Sequence, residues 1–441
     1  MIDLENTKML RIKRANTDWW INEKAIVGAN GMTYIVYMTD MGELHIKELD
    51  AKCSRTPSRD FRLCRLNCNY ADEHNAPSLC VLENGRIIVA YTGHAATSTL
   101  KYRITEKPYD ISTFGPEVTL TYEGSVTYAQ LFENVEKGEL WLFTRVNKKT
   151  WEFRYSSDEA RSWSAPRTFL RSNVEGLFYF DTRKQLVTSR EGPVEQWFFA
   201  LYGHPYSSTD HVIRSGIFRR DGQLLKTDGT PTDFSLYDTD GKSMELASLD
   251  VVYASPAGTT VRLLDVSPTV PLRVAFAPFM IGEDRQIPPG DYYYRSATFR
   301  EGKWQISQPI CPVGEFLAVG IRDGSQTYLG GMAYYYGVGE GAHNASHEPF
   351  TSRLSTNRIY IARFDGTDRV VESYVTHNCG QSYKLEQVIR RIPGALGIKA
   401  WRPIVPIHAQ DNLPVYWHEG EYYGHTGAWH CDAILPVEYD D

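Results

Sequence analysis

Along residues 71 to 94, ADEHNAPSLCVLENGRIIVAYTGH, apolar positions fall into two short runs, Ala76 to Leu82 and Arg86 to Tyr91. A Glu-Asn-Gly turn separates them, so the stretch predicts a β-hairpin, and a histidine stands at each end, His74 and His94. The same punctuation recurs along the chain, while convincing amphipathic helices do not. Residues 25 to 49 read as three short strands joined by Gly-containing turns. The hairpin opens a second group, continued by TLKYRIT, and a third runs from 126 to 170. Further groups are expected to begin near Leu177, Leu246, Phe316 and Ile398, which makes seven in all.

Groups of about four strands, each spanning roughly 40 to 60 residues, are what the radial blades of a β-propeller require. The expectation is therefore an all-β, seven-bladed propeller of four-stranded antiparallel blades, with residues 1–441 as a single domain. The short run MLRIKRA, residues 9 to 15, is left over and is expected to complete the last blade, hiding strand edges. Two β-sandwiches would call for a linker. The polar stretch HEPFTSRLSTN, 347 to 357, precedes the strand RIYIARF and fits an insertion equally well.

Composition agrees with this. Tyr 28, Phe 18 and Trp 10 bring aromatics to 13% of the chain, and Gly 34 with Pro 22 supply turns. No apolar run approaches the roughly 20 residues of a membrane helix, so no membrane partner is expected. The net charge of -7 argues against a nucleic-acid surface. The N-terminal MIDLENTKML lacks the features of a secretory signal: the expectation is a secreted or periplasmic protein if a signal has been removed, and otherwise a cytoplasmic one. Seven cysteines without a CxxC support neither a disulfide framework nor a strong zinc motif. A monomer is expected.

Two stretches, SSDEARSW (156 to 163) and THNCGQSY (376 to 383), resemble the Asp box, Ser-x-Asp-x-Gly-x-x-Trp, a hairpin turn of sialidase-type blades. Ala160 replaces the Gly of the first; Asn378 and Tyr383 replace the Asp and Trp of the second. Asp158 and Asn378 are read as turn-capping residues and not as catalysts.

The candidate chemistry comes from where side chains fall in a propeller. The start of each first strand and the end of each second strand converge on one mouth of the central channel. His74 begins a first strand and His94 follows the second; in the next blade Tyr128 begins TYAQLF and Arg145 ends ELWLFTR. Each has a plain alternative: a turn cap for His74, an exposed loop for His94, channel packing for Tyr128, and an ion pair with a blade carboxylate such as Glu133 for Arg145. Asn75, beside His74, is a candidate substrate contact. So are Tyr202 and His204, ending a later second strand, and Arg402, beginning a later first strand.

The stretches DEHNAPSL, GRIIVAYTGH, TYAQLF and LWLFTR, with the first Asp-box-like turn, resemble the BNR-repeat propellers that include the ulvan lyases. The likeness is strongest over residues 71 to 170, and the turn ENVEKGE is about one residue longer than usual. It implies a polysaccharide lyase that cleaves an acidic, sulfated, uronic-acid-containing polymer by β-elimination, with His74, His94, Tyr128 and Arg145 as the catalytic group. An arginine can pair with the uronate carboxylate, and imidazole and phenol can move protons. No cofactor is required for catalysis, and a structural metal is left open. A sialidase is disfavoured because RIP occurs only at 391 to 393. The alternatives kept are a glycoside hydrolase on the same scaffold, which would use two suitably spaced carboxylates, and a non-catalytic glycan-binding propeller.

Overall fold

The structure is a computed structural model. It describes residues 9–13, 15–16, 24–39, 41–50, 59–66, 75, 77–171, 178–189, 192–203, 210–238, 240–267, 271–280, 293–311, 352–354, 357–364, 368–393, 399–404, 407, 416–421 and 430–436.

The described strands form seven antiparallel sheets that follow one another in chain order, the blades of a β-propeller. Blade 1 holds Ala15–Asn16, Ala25–Val27, Met32–Thr39, Glu43–Asp50 and Arg59–Arg65. Blade 2 runs Ser78–Val81, Ile87–Tyr91, Thr99–Ile104 and Val118–Thr121; blade 3 runs Val126–Asn134, Glu139–Val146, Thr150–Ser156 and Arg167–Arg171. Blade 4 begins with Phe178–Ser189 and Gly192–Gly203, blade 5 with Thr259–Ser267, blade 6 with Ser352–Leu354 and blade 7 with Lys399–Ile404. The leftover N-terminal strand does close the ring: Met9–Lys13 pairs antiparallel with His430–Pro436 of blade 7. Two residues later, Ala15–Asn16 pairs with Met32–Thr39 of blade 1, so a few residues of chain tie the last blade to the first.

The blades pack through their apolar faces. Between blades 3 and 4, Trp141 and Trp197 lie with ring centroids 4.2 Å apart, and Phe143 stands 5.7 Å from Phe180. All four are buried, and aromatic pairs of this kind add about 0.5–1.5 kcal/mol beyond their buried area. The two Asp-box-like turns share one geometry: Asp158 Oδ1 accepts the Ser162 N–H at 2.9 Å, and Asn378 Oδ1 accepts the Ser382 N–H at 2.9 Å. Trp163 packs edge-on against Tyr102 of blade 2 and donates its indole N–H to that hydroxyl at 3.1 Å.

One boundary differs from the sequence reading. The group expected near Leu246 does not open a blade: Leu246–Ser248 is a single 3-10 turn, and Asp250–Ala254 pairs with Val212–Arg219 of blade 4. Blade 5 starts at Thr259. The expected start near Phe316 lies outside the described residues.

Candidate functional site

The first strand of blade 3 is irregular where Tyr128 sits. Thr127 pairs with Arg145 and Gln130 with Phe143, so Tyr128 and Ala129 share the space opposite Thr144, a β-bulge. Tyr128 has φ 63°, the left-handed region that costs a non-glycine residue on the order of 1 kcal/mol or more. Its ring is buried and stacks on Trp151 at 6.2 Å and 17°. Trp151 in turn donates its indole N–H to the Phe178 carbonyl at 3.1 Å, which fixes the start of blade 4 against blade 3.

Arg145, at the end of the second strand, is only 1% exposed. Its guanidinium carbon lies 4.5 Å from the Tyr128 ring centroid and 5.5 Å from that of Tyr179. Nε and Nη1 have no hydrogen-bond partner among the described residues, and none of the ion pairs there involves Arg145. Glu133, the carboxylate that a purely structural reading would supply, sits toward the other end of the strand, opposite Leu140, and accepts the Glu83 N–H at 2.5 Å. Burying a guanidinium costs several kcal/mol, and two ring faces return about 2 kcal/mol each. A cation held this way is better suited to receiving an anion than to stabilising the fold.

The tyrosine row continues into blade 4. Tyr179 pairs in register with Tyr202, their rings 5.3 Å apart, and Tyr179 is 6.3 Å from Tyr128. Tyr202, expected as a substrate contact, is thus joined to Arg145 through Tyr179. Sequence reasoning passed over Tyr179 and Trp151. The signal for Tyr179 was present: it opens the first strand of its blade much as Tyr128 opens the preceding one.

On the blade 2 side, the His94 backbone N–H donates to Asn75 Oδ1 at 2.5 Å. The next N–H, of Ala95, donates to Thr127 Oγ1 at 2.9 Å. Asn75 is buried and His94 half-buried. The loop carrying His94 is therefore pinned beside the residue that precedes Tyr128. His74 and His204 lie outside the described residues; Arg402 belongs to the first strand of blade 7, opposite His418.

A further histidine lies between blades 4 and 5. His211, just before the third strand of blade 4, is joined through Nδ1 to Thr260 Oγ1 at 2.8 Å, and Thr260 is the second residue of blade 5's first strand. Burial holds its pKa below the ordinary value despite the opposing pull of Asp210. Among the described residues, no three His, Cys, Asp or Glu side chains form a group that could hold a metal ion.

Comparison with known proteins agrees with this architecture. Residues 32–190 match the family described as BNR repeat-containing family member. A solved structure described as a PL25 ulvan lyase, a new family of polysaccharide lyase, is 14% identical with a TM-score of 0.64, over 97% of this chain and 96% of that one. The same kind of enzyme bound to -[GlcA(1-4)Rha3S]- gives 13% identity and a TM-score of 0.65, over 97% and 96%. The polysaccharide lyase Uly1 gives 10% identity and a TM-score of 0.54, over 98% and 99%. No curated protein matches. The likeness to BNR-repeat propellers thus holds in sequence over residues 32–190, and the likeness to ulvan lyases holds in fold.

Proposed function

We propose that the protein is a polysaccharide lyase acting on an acidic, uronic-acid-containing and sulfated polymer, and that His74, His94, Tyr128 and Arg145 are its catalytic group. The observation that carries the reading is Arg145: a buried guanidinium set against two tyrosine rings, with two nitrogens unpartnered among the described residues. A planar fork of donors suits a carboxylate. The uronate carboxylate pairs with Arg145, which stabilises the charge that develops as the C5 proton leaves. The electron pair of the C5–H bond becomes the C4–C5 double bond, the C4–O4 bond breaks, and O4 takes up a proton. Tyr128 and the histidines supply the proton acceptor and donor. Water is not consumed.

Tyr202, His204 and Arg402 extend the pocket to neighbouring sugars in this reading, and Asn75 is a contact beside His74. The fold shared with ulvan lyases supports the assignment of a carbohydrate-active enzyme. The test is incubation with a panel of acidic polysaccharides, following the ultraviolet absorbance of unsaturated uronates and the masses of the products. Unsaturated ends without added water are the expected result. Saturated new non-reducing ends, with one water taken up per bond broken, would make the protein a hydrolase, and binding without any product would make it a glycan-binding propeller.

A further inference from the structure

Two consecutive backbone amides, those of His94 and Ala95, are held by buried side chains of two different segments. Asn75 takes the first at 2.5 Å and Thr127 takes the second at 2.9 Å. Both holding residues are 1% exposed. Ala95 has φ 49°, a left-handed conformation that a residue with a Cβ keeps only where its surroundings impose it. The Thr127 hydroxyl is one of those surroundings, and it reaches across the boundary between blades 2 and 3.

Thr127 also occupies a special place within blade 3. It is the ladder partner of Arg145 and the chain neighbour of Tyr128, and the bulge begins immediately after it. One residue thus touches the loop of His94 by its hydroxyl, the strand of Arg145 by its backbone pairing, and Tyr128 by a peptide bond. A threonine at a strand start needs no hydroxyl for its backbone role; valine has the same branched shape and strand preference. The hydroxyl is accounted for by the Ala95 amide.

We infer that Thr127 is a positioning residue: its hydroxyl sets the His94 loop at a fixed distance from the Tyr128–Arg145 pair, so that groups from two blades act on one sugar. The inference rests on the lyase reading for its catalytic consequence, but the placement of His94 can be read without substrate. Thr127→Val removes the acceptor and keeps the shape, and Thr127→Ser restores the acceptor. In the full chain with labelled histidine, the His94 imidazole signal, assigned from a His94→Gln spectrum, moves in the Val variant and returns to its native position in the Ser variant. On an acidic polysaccharide, Thr127→Val lowers kcat about 10- to 100-fold, the scale of a displacement of about 1 Å in a reacting group. KM changes little, the pH profile alters, and Ser recovers most of the rate.

An unmoved His94 signal in the Val variant overturns the inference, as does a Ser variant that behaves like Val. If the native protein yields no unsaturated product from any acidic polymer, the lyase reading fails, and the imidazole signal alone decides whether Thr127 places His94. Should the Val variant not fold, Thr127→Ala makes no demand on space and carries the same comparison.

Discussion

Replacing Arg145 with methionine separates a functional cation from a structural one, because the two roles predict opposite signs for stability. The side chain is buried, makes none of the ion pairs among the described residues, and leaves Nε and Nη1 without partners there. Its compensation comes from the Tyr128 and Tyr179 rings at 4.5 and 5.5 Å. Those two contacts are worth about 1–2 kcal/mol each. Methionine is of similar length and recovers about 0.3–1.5 kcal/mol per ring through its sulfur. Against this small loss stands the relief of two unpaired donors, about 1–3 kcal/mol each, and of a buried charge. The net expectation for Arg145→Met is stabilisation by about 1–3 kcal/mol. For a chain of 441 residues this raises Tm by only about 1 °C per kcal/mol, so urea denaturation is the better measurement. Turnover of an acidic polysaccharide should fall at least about 10²- to 10³-fold. A variant that unfolds at lower urea than the native protein would show that Arg145 holds the fold, and the proposed function would lose its main support.

Three further outcomes follow from other parts of the structure. Tyr128→Phe keeps the stacking on Trp151 at 6.2 Å and should fold normally, yet lose about 10²- to 10⁴-fold in rate of unsaturated-product formation; full activity would remove the phenol from the chemistry. Asp60 receives the Tyr37 hydroxyl at 2.5 Å, lies 2.8 Å from His45 Nδ1 and pairs with Lys47 at 3.2 Å, and although burial works against it these partners bring its pKa to about 2. A carboxylate with a depressed pKa stabilises the fold above its ordinary value of 3.8 and loses that contribution as pH falls towards 2, so Asp60→Asn should flatten the stability profile between about pH 4 and 2, by about 1 kcal/mol after allowing for solvent screening; an unchanged acid limb in urea titrations would refute this. Gly85 has φ +80°, and a Cβ there would come within 2.5 Å of the Tyr109 ring, so Gly85→Ala should lower stability by about 1–3 kcal/mol in the same assay, and a neutral result would show that the ring can move aside.

The propeller was legible because its signals are local. Alternating apolar runs and glycine turns name strands one at a time, and the spare run at residues 9 to 15 had an evident place in the last blade. The boundary of blade 5 was not legible for a related reason. Residues 250 to 254 have the composition of a strand and do form one, but they lean on the third strand of blade 4. Periodicity identifies a strand and its buried face; the choice of partner is a tertiary matter and leaves no mark in the segment itself. The same limit applies to Asn75 and Thr127, whose polar side chains are buried because each accepts a backbone amide of a loop distant in sequence.

That Tyr128 and Arg145 lie close together was legible from their places on two adjoining strands, but the device that brings the side chains together was not. Thr127 and Arg145 are directly opposed in the ladder, so their side chains share one face of the blade. In a regular strand the next residue, Tyr128, would point to the other face, away from the guanidinium. The extra residue of the bulge and the left-handed φ of 63° turn the phenol back, and its ring ends 4.5 Å from Arg145 and stacked on Trp151, itself the ladder partner of Arg145 on the third strand. Nothing in VTYAQLF announces this, since Tyr and Ala carry no preference for a positive φ. The strain is therefore retained against local preference, and it has a specific product: a phenol beside a guanidinium whose Nε and Nη1 have no partner among the described residues. Shortening the bulge by one residue would return Tyr128 to the opposite face with both Tyr128 and Arg145 still in the sequence.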